Sequence, residues 1–302
     1  MDTDTWRSTS VTDHLGLLSP SNGLPLTSCH RSYRAVLCTE LAKPLIIRTI
    51  PSPPLQPEEV RVGIHCCGVN FADILACQGL YQEKHALPFS PGMEFSGVVM
   101  ETGTDVSTVQ KGDRVLGVTS SKAMAEECII DQKMLWQIPD GVSYEHAAAL
   151  PVSYGTASLA LERRAHTQPG ETVLVTAAAG AMGLATIDIA TNVFKAKVIA
   201  AAGSDHKCNL ALQKGATHSV NYSQNSLKDE VKKLTDNRGV NVAIDAVGGD
   251  IFKQALHRCV EYCHEGKIEP HIGEVFKLEE VNEAFSHVIQ RKSTGKVIIS
   301  VK

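Results

Sequence analysis

The chain has 302 residues, 43% of them hydrophobic and 21% charged, with a formal net charge of −4. That balance suits a globular protein with an apolar core and room for two domains. The acidic charge sets up no field that draws nucleic acid, and no apolar run reaches the roughly 18 residues a membrane span needs, so neither is an expected partner.

Residues 1–31 are polar, with Asp2, Asp4 and Asp13 against Arg7. They match neither the apolar core of a secretory signal nor the Arg-rich, acid-poor makeup of a transit peptide, and read as a disordered tail. Nine cysteines, an odd number without a signal, point to reduced thiols inside the cell. A cytoplasmic setting is expected, with a mitochondrial one left open. No C-x-x-C pair is present, which argues against a structural zinc cluster.

Residues 32–150 read as a compact β-rich domain. Strands are expected at 33–37, 59–65, 97–101 and 114–118, with a Pro-rich loop at 51–57. The pattern changes near Tyr144, where 145–150 and 154–164 read as helices. After a turn at 168–171, strands at 172–176, 197–202, 217–221 and 240–246 alternate with helices at 182–194, 205–214 and 227–235. Such alternation implies a parallel sheet with crossover helices, and continuously apolar strands imply cover on both faces. This second domain is placed at 151–260.

The strand 172–176 runs into Ala177-Ala-Ala-Gly-Ala-Met-Gly183, which opens a helix. Set against G-x-G-x-x-G, Ala178 stands for the first glycine, and Gly180 and Gly183 fill the other places. Small residues let the backbone of Ala178, Ala179, Gly180, Ala181, Met182 and Gly183 approach a pyrophosphate at the helix start. Strand, turn, helix and next strand together give the motif its context, against the plainer alternative of a tight turn without ligand. The second strand ends without the acid that binds ribose hydroxyls in NAD-specific units, and Ser204 and Lys207 follow. A cation and a hydroxyl suit the 2′-phosphate of NADP(H), although Lys207 also reads as a solvated helix residue and Asp205 favours NAD. Val247 and Gly248, after Asp245, read either as a further cofactor contact or as an ordinary turn.

Further motifs follow in order: Gly68-Val-Asn-Phe-Ala-Asp73, Gly79-Leu-Tyr81, Pro91-Gly-Met-Glu-Phe-Ser-Gly97, Gly112-Asp-Arg-Val115, Leu212 to Tyr222, Asp245-Ala-Val-Gly-Gly249 and Gly295 to Val301. With the turn at 177–183 they resemble the zinc-free quinone oxidoreductase branch of the medium-chain dehydrogenase/reductase superfamily. The resemblance implies an α/β architecture: a GroES-like β-rich catalytic domain, a Rossmann dinucleotide-binding domain, and a return of 261–302 to the first. It also implies NADPH-dependent reduction of a small carbonyl or quinone substrate, and a homodimer. Zinc alcohol dehydrogenases carry a catalytic Cys where this chain has Asn70 and a His where it has Met93, so the resemblance implies no metal. Asn70 would face the nicotinamide, and Tyr81 would lie beside the substrate as a hydrogen-bond or proton donor; each also reads as a purely structural residue. Glu94 is expected to hold the turn at Gly92. Tyr222 would join Ser204 and Lys207 around the 2′-phosphate, or else lie on the surface.

The family pattern fails after Asp250. Residues 251–258 lead almost directly into a late helix, as though roughly 30 residues, one β-α-β unit, were missing. The Rossmann sheet would be truncated, and the dimer edge and the nicotinamide contacts would be lost with it. A chain that binds NADPH without turnover is therefore the competing expectation.

Overall fold

A computed structural model describes residues 31–246 and, beyond them, 272–277, 296–300 and scattered positions between 280 and 292. Residues 1–30 of the tail and 247–271, which include Val247, Gly248 and the place where the missing unit is expected, lie outside the described residues.

The first part is built from strands. β1 (Ser32–Leu37) and β2 (Ile46–Pro51) pair antiparallel, from Ser32 opposite Pro51 to Leu37 opposite Ile46. A five-stranded antiparallel sheet runs in the order β6-β3-β4-β5-β7. Its members are β3 (Glu59–Gly68), β4 (Glu94–Thr102), β5 (Arg114–Val118), β6 (Glu127–Asp131) and β7 (Leu135–Gln137). Side chains two apart share a face, so Val60 and Val62 of β3 join Phe95, Val99, Val115, Cys128 and Leu135 in one buried cluster. A register shift between Ile64 and Cys66 carries β3 past the end expected at His65 as far as Gly68.

β2, β6, β7 and a short helix, α1 (Phe71–Cys77), were not expected from the sequence. β2 is mostly exposed and ends in a proline, so it lacks the alternation that marks a half-buried strand.

The helical region also differs from expectation. α2 (Tyr144–Ala148) is followed by wide π-helical turns at Leu150–Tyr154 and Leu159–Arg164 on either side of α3 (Gly155–Ser158). Gly155 and Ala165 donate their N–H groups to carbonyls five residues back, at Leu150 and Ala160. Pro151 has no N–H to give, which removes one ordinary helical bond at this point.

The second part is a parallel sheet in the order β10-β9-β8-β11. Its strands are β8 (Thr172–Val175), β9 (Lys197–Ala202), β10 (His218–Asn221) and β11 (Val242–Ile244). The crossover helices are α4 (Ala181–Asn192), α5 (Asp205–Gln213) and α6 (Leu227–Leu234). Alternate strand residues face opposite ways. Val173, Val175, Val198 and Ala200 pack with Ile187 and Ala190 of α4 and Ala211 of α5. Leu174, Ile199, Ala201 and Val220 pack with Leu227 and Val231 of α6. Both faces are covered, as the unbroken apolar strands require. β12 (Ile272–Lys277) and β13 (Lys296–Ser300) form a further parallel pair.

Candidate functional site

β8 lies between β9 and β11, so the chain departs in opposite directions on its two sides. Ligands of open α/β sheets bind beyond the carboxyl ends of strands at such a reversal. Thr176 closes this end: its hydroxyl donates to Asp245 and accepts from the N–H of Ala246 at 3.0 Å.

Residues 177–183 sit at that point. Ala177 takes a left-handed φ of 46°. Gly180 N donates to Ala177 O at 2.8 Å, and Ala178 N donates to Ala201 O at 3.1 Å, which ties the turn to the end of β9. Gly180 caps α4 without any side-chain bond, so among the described residues no capping side chain competes with an anion for the first N–H groups of the helix. A Cβ on Gly183 would stand 2.7 Å from Ala178 Cα, against backbone that cannot give way. On Gly180 it would stand 3.2 Å from Ala177 O, which is tight but less severe. Ala178 is fully buried in the core cluster with Val173 and Ile187, so its methyl is accommodated where the motif has a glycine.

Around the end of β9, Ser204 caps α5 by accepting from Lys207 N at 3.4 Å. Tyr222 donates its N–H to Ala202 O at 3.1 Å, and its ring lies along Gly203, where a Cβ would be 3.4 Å from the ring edge. Tyr222 and Ser223, whose hydroxyl donates to Gly203 O at 3.0 Å, therefore meet at Gly203, with Ser204 at the cap of α5 and Lys207 in its first turn. Lys207 is exposed, and among the described residues nothing engages its ammonium. Asp205 is committed elsewhere: its carboxylate accepts from Asn221 Nδ2 at 2.7 Å and from Gln224 Nε2 at 3.4 Å.

The other expected site residues lie in the β-rich part. Asn70 caps α1 in extended backbone. Its side-chain Nδ2 donates to Glu94 Oε1 at 2.9 Å, while Glu94 Oε2 accepts from Val152 N at 2.8 Å. Glu94 is buried and joins three elements: the start of α1, the start of β4 and the first π-helical turn. The expectation that Glu94 holds the turn at Gly92 is corrected. That task falls to Asp73, whose Oδ1 accepts from Gly92 N at 3.0 Å and Oδ2 from Asn70 N at 2.8 Å. The reason is reach: Asp73 sits one turn into α1, facing the 91–92 turn, whereas Glu94 points across to Asn70. Asp73 as a second support of Asn70 was missed, although its place three residues after an Asn is a helix-start signal.

Tyr81 donates its N–H to Leu75 O at 3.2 Å, and its ring packs on Cys38, Ala76 and Phe89. Its hydroxyl makes no hydrogen bond to the described residues and none joins it to Asn70, so the structure does not bring the two expected catalytic residues into direct contact. Among the described residues no group of three or more His, Cys, Asp and Glu is arranged to hold a metal ion. Burial, helped by Asp73, Glu94 and Cys128, pushes the nearby Cys67 thiol up to about 12 and keeps it protonated. No helix of the described residues is long and apolar enough to cross a membrane.

Known proteins resemble this arrangement. The alcohol dehydrogenase GroES-like domain matches residues 56–150, and the zinc-binding dehydrogenase family matches 181–261 and, through a second model, 251–299. Quinone oxidoreductase-like protein 2 of Bos taurus is 57% identical over 328 aligned positions, which cover 91% of this chain and 94% of that protein. That span of 328 exceeds the 302 residues of the chain, so the relative carries positions this chain lacks. The crystal structure of the Thermus thermophilus quinone oxidoreductase, solved also in complex with NADPH, superposes with a TM-score of 0.64 at 28% identity, covering 89% of this chain and all of that one. A probable oxidoreductase from Mycobacterium abscessus gives 0.71 at 26% identity, over 90% of this chain and 100% of its own.

Proposed function

The chain belongs to the quinone oxidoreductase-like group of the medium-chain dehydrogenase/reductase superfamily, and on that premise we propose that it binds NADP(H) and reduces quinones or α,β-unsaturated carbonyls without zinc. The contrast between Asp205 and Lys207 carries the cofactor choice. Asp205 has its carboxylate taken by Asn221 and Gln224, while among the described residues nothing engages the exposed Lys207 beside it. A ribose diol would compete for an occupied acid, whereas a 2′-phosphate would meet the exposed Lys207 cation, the Ser204 hydroxyl and Tyr222. The backbone of Ala178, Ala179, Gly180, Ala181, Met182 and Gly183 would hold the pyrophosphate, with Val247 and Gly248 extending the cradle.

Bound NADPH supplies the hydride. The chain's own residues position and polarise the substrate. Asn70, held by Glu94 and Asp73, orients the reacting end of the site. Tyr81 donates a hydrogen bond or proton to the substrate oxygen, which takes up the negative charge. Zinc independence rests on the donor set: Asn70 and Met93 offer an amide and a thioether, and Asp73 and Glu94 already accept backbone and amide hydrogen bonds.

The excess of aligned positions over the length of this chain favours a second reading. We place the missing unit after Asp250, where the Rossmann domain and any dimer edge would be shortened before 261–302 return to the first domain. The chain would then bind NADPH without turning it over. Titration of the purified protein with NADPH by intrinsic fluorescence, followed by an assay of NADPH oxidation with a quinone, separates the two. Binding with turnover supports the enzyme, binding alone supports the second reading, and failure to bind overturns both.

A further inference from the structure

The face of α1 that follows Asn70 lines a groove of about 490 Å³. Leu45, Val69, Ile74 and Met124 form its apolar walls, Lys43 is its cation, and Asp73 lies where it approaches Asn70. Leu45, Val69 and Ile74 are 42%, 71% and 45% exposed, an unusual cost for aliphatic side chains gathered at one place. The volume falls in the range of small-molecule sites. Asp73 offers little to a polar ligand, because both its carboxylate oxygens already accept N–H groups from Asn70 and Gly92, which leaves the apolar walls as the larger part of the groove beside Lys43 and Gln78.

We propose that this groove takes the aliphatic tail of the substrate, so that the chain acts on alkyl- or isoprenoid-substituted quinones rather than on bare ring compounds. The inference rests on the reading of Asn70 as the reacting end of the site. Val69 and Asp73 flank Asn70 in the chain and both line the groove, and Asp73 Oδ2 accepts from Asn70 N at 2.8 Å, so the groove lies beside that end and extends along α1 past Ile74. A quinone ring at Asn70 would leave its apolar substituent beside these walls, out of water.

The test uses the purified full chain and 1,4-benzoquinones that differ only in a methyl, pentyl or decyl substituent. Equilibrium dialysis without cofactor gives Kd for each, and NADPH oxidation gives KM. The pentyl compound should bind roughly tenfold more tightly than the methyl one, as expected for several partly buried methylenes. Leu45→Ser and Ile74→Ser should remove most of that gain, and both replace partly exposed side chains whose loss leaves the core intact. Turnover with no dependence on the tail would overturn the groove and leave the oxidoreductase standing. Tail-dependent binding that the variants abolish, without any turnover, would keep the groove and sink the enzyme. A dimer that sediments intact and dissociates on Ile74→Ser would also overturn the proposal, since a second copy would then cover this face.

Discussion

Gly68 makes the room that the Glu94 carboxylate occupies. A Cβ at position 68 would stand 2.6 Å from Glu94 Cδ, and Glu94 Oε1 would lose its place against Asn70 Nδ2. A glycine at the end of β3 thus decides where the candidate reacting residue at the start of α1 points. Gly68→Ala should cost about 1–3 kcal/mol of stability, the usual penalty for overpacking. Urea unfolding of the variant measures this; an unchanged midpoint would show that Glu94 relaxes without loss.

Glu94→Ala should be the harsher change. It leaves Val152 N and Asn70 Nδ2 without acceptors in a half-buried place, at up to about 1–3 kcal/mol for each unsatisfied group. Glu94→Gln keeps one oxygen for Val152 N and should lose less. Thermal unfolding of the pair checks the order, and equal losses would mean that charge rather than hydrogen bonding fixes this junction.

The turn at 177–183 should discriminate between its two glycines. Gly183→Ala meets backbone at Ala178 and should lower stability by about 1–3 kcal/mol as well as abolish NADPH binding. Gly180→Ala meets one carbonyl oxygen at 3.2 Å and should fold normally with weaker binding. Denaturation and fluorescence titration of both variants read the two effects apart.

Asp188 predicts the pH dependence of stability. Burial opposes its ionisation, but hydrogen bonds from Lys214, Tyr154 and Asn192 prevail and hold the carboxyl below the usual aspartate range. The bond to Asp188 raises Lys214, while burial and then the same carboxylate raise Tyr154. The depressed Asp188 stabilises the fold above its unfolded pKa, and that contribution is lost as pH falls through the folded value, below about 4. The raised Lys214 and Tyr154 stabilise below their unfolded values, and their contribution is lost as pH rises through the folded ones, above about 10. Asp188→Asn should therefore flatten the thermal midpoint at both extremes. A profile identical to that of the unaltered protein would contradict the assignment.

Much of the second part was legible because its strands are unbroken apolar runs and its first turn is made of small residues. The repeat from β8 to β10 follows from that pattern alone. The helical region was legible only as helix: Leu150–Tyr154 and Leu159–Arg164 have ordinary helix-forming side chains, and the wider hydrogen bonding depends on Pro151 and on what packs against them. β7 is three residues long and β2 largely exposed, so neither carries a local signal. In the candidate site, Asn70 is singled out by its motif. Its bond to Glu94, 24 residues away, was not legible, because it depends on β3 and β4 pairing with Gly68 opposite Glu94.

The NADP(H) cradle at 177–207 is tested most directly by a fluorescence titration of the unaltered chain and Lys207→Glu with NADPH and NADH. The unaltered chain should bind NADPH roughly tenfold more tightly than NADH, the scale of one charge-assisted hydrogen bond, and Lys207→Glu should erase that preference without weakening NADH. Equal or tighter binding of NADH by the unaltered chain would contradict the NADP(H) assignment.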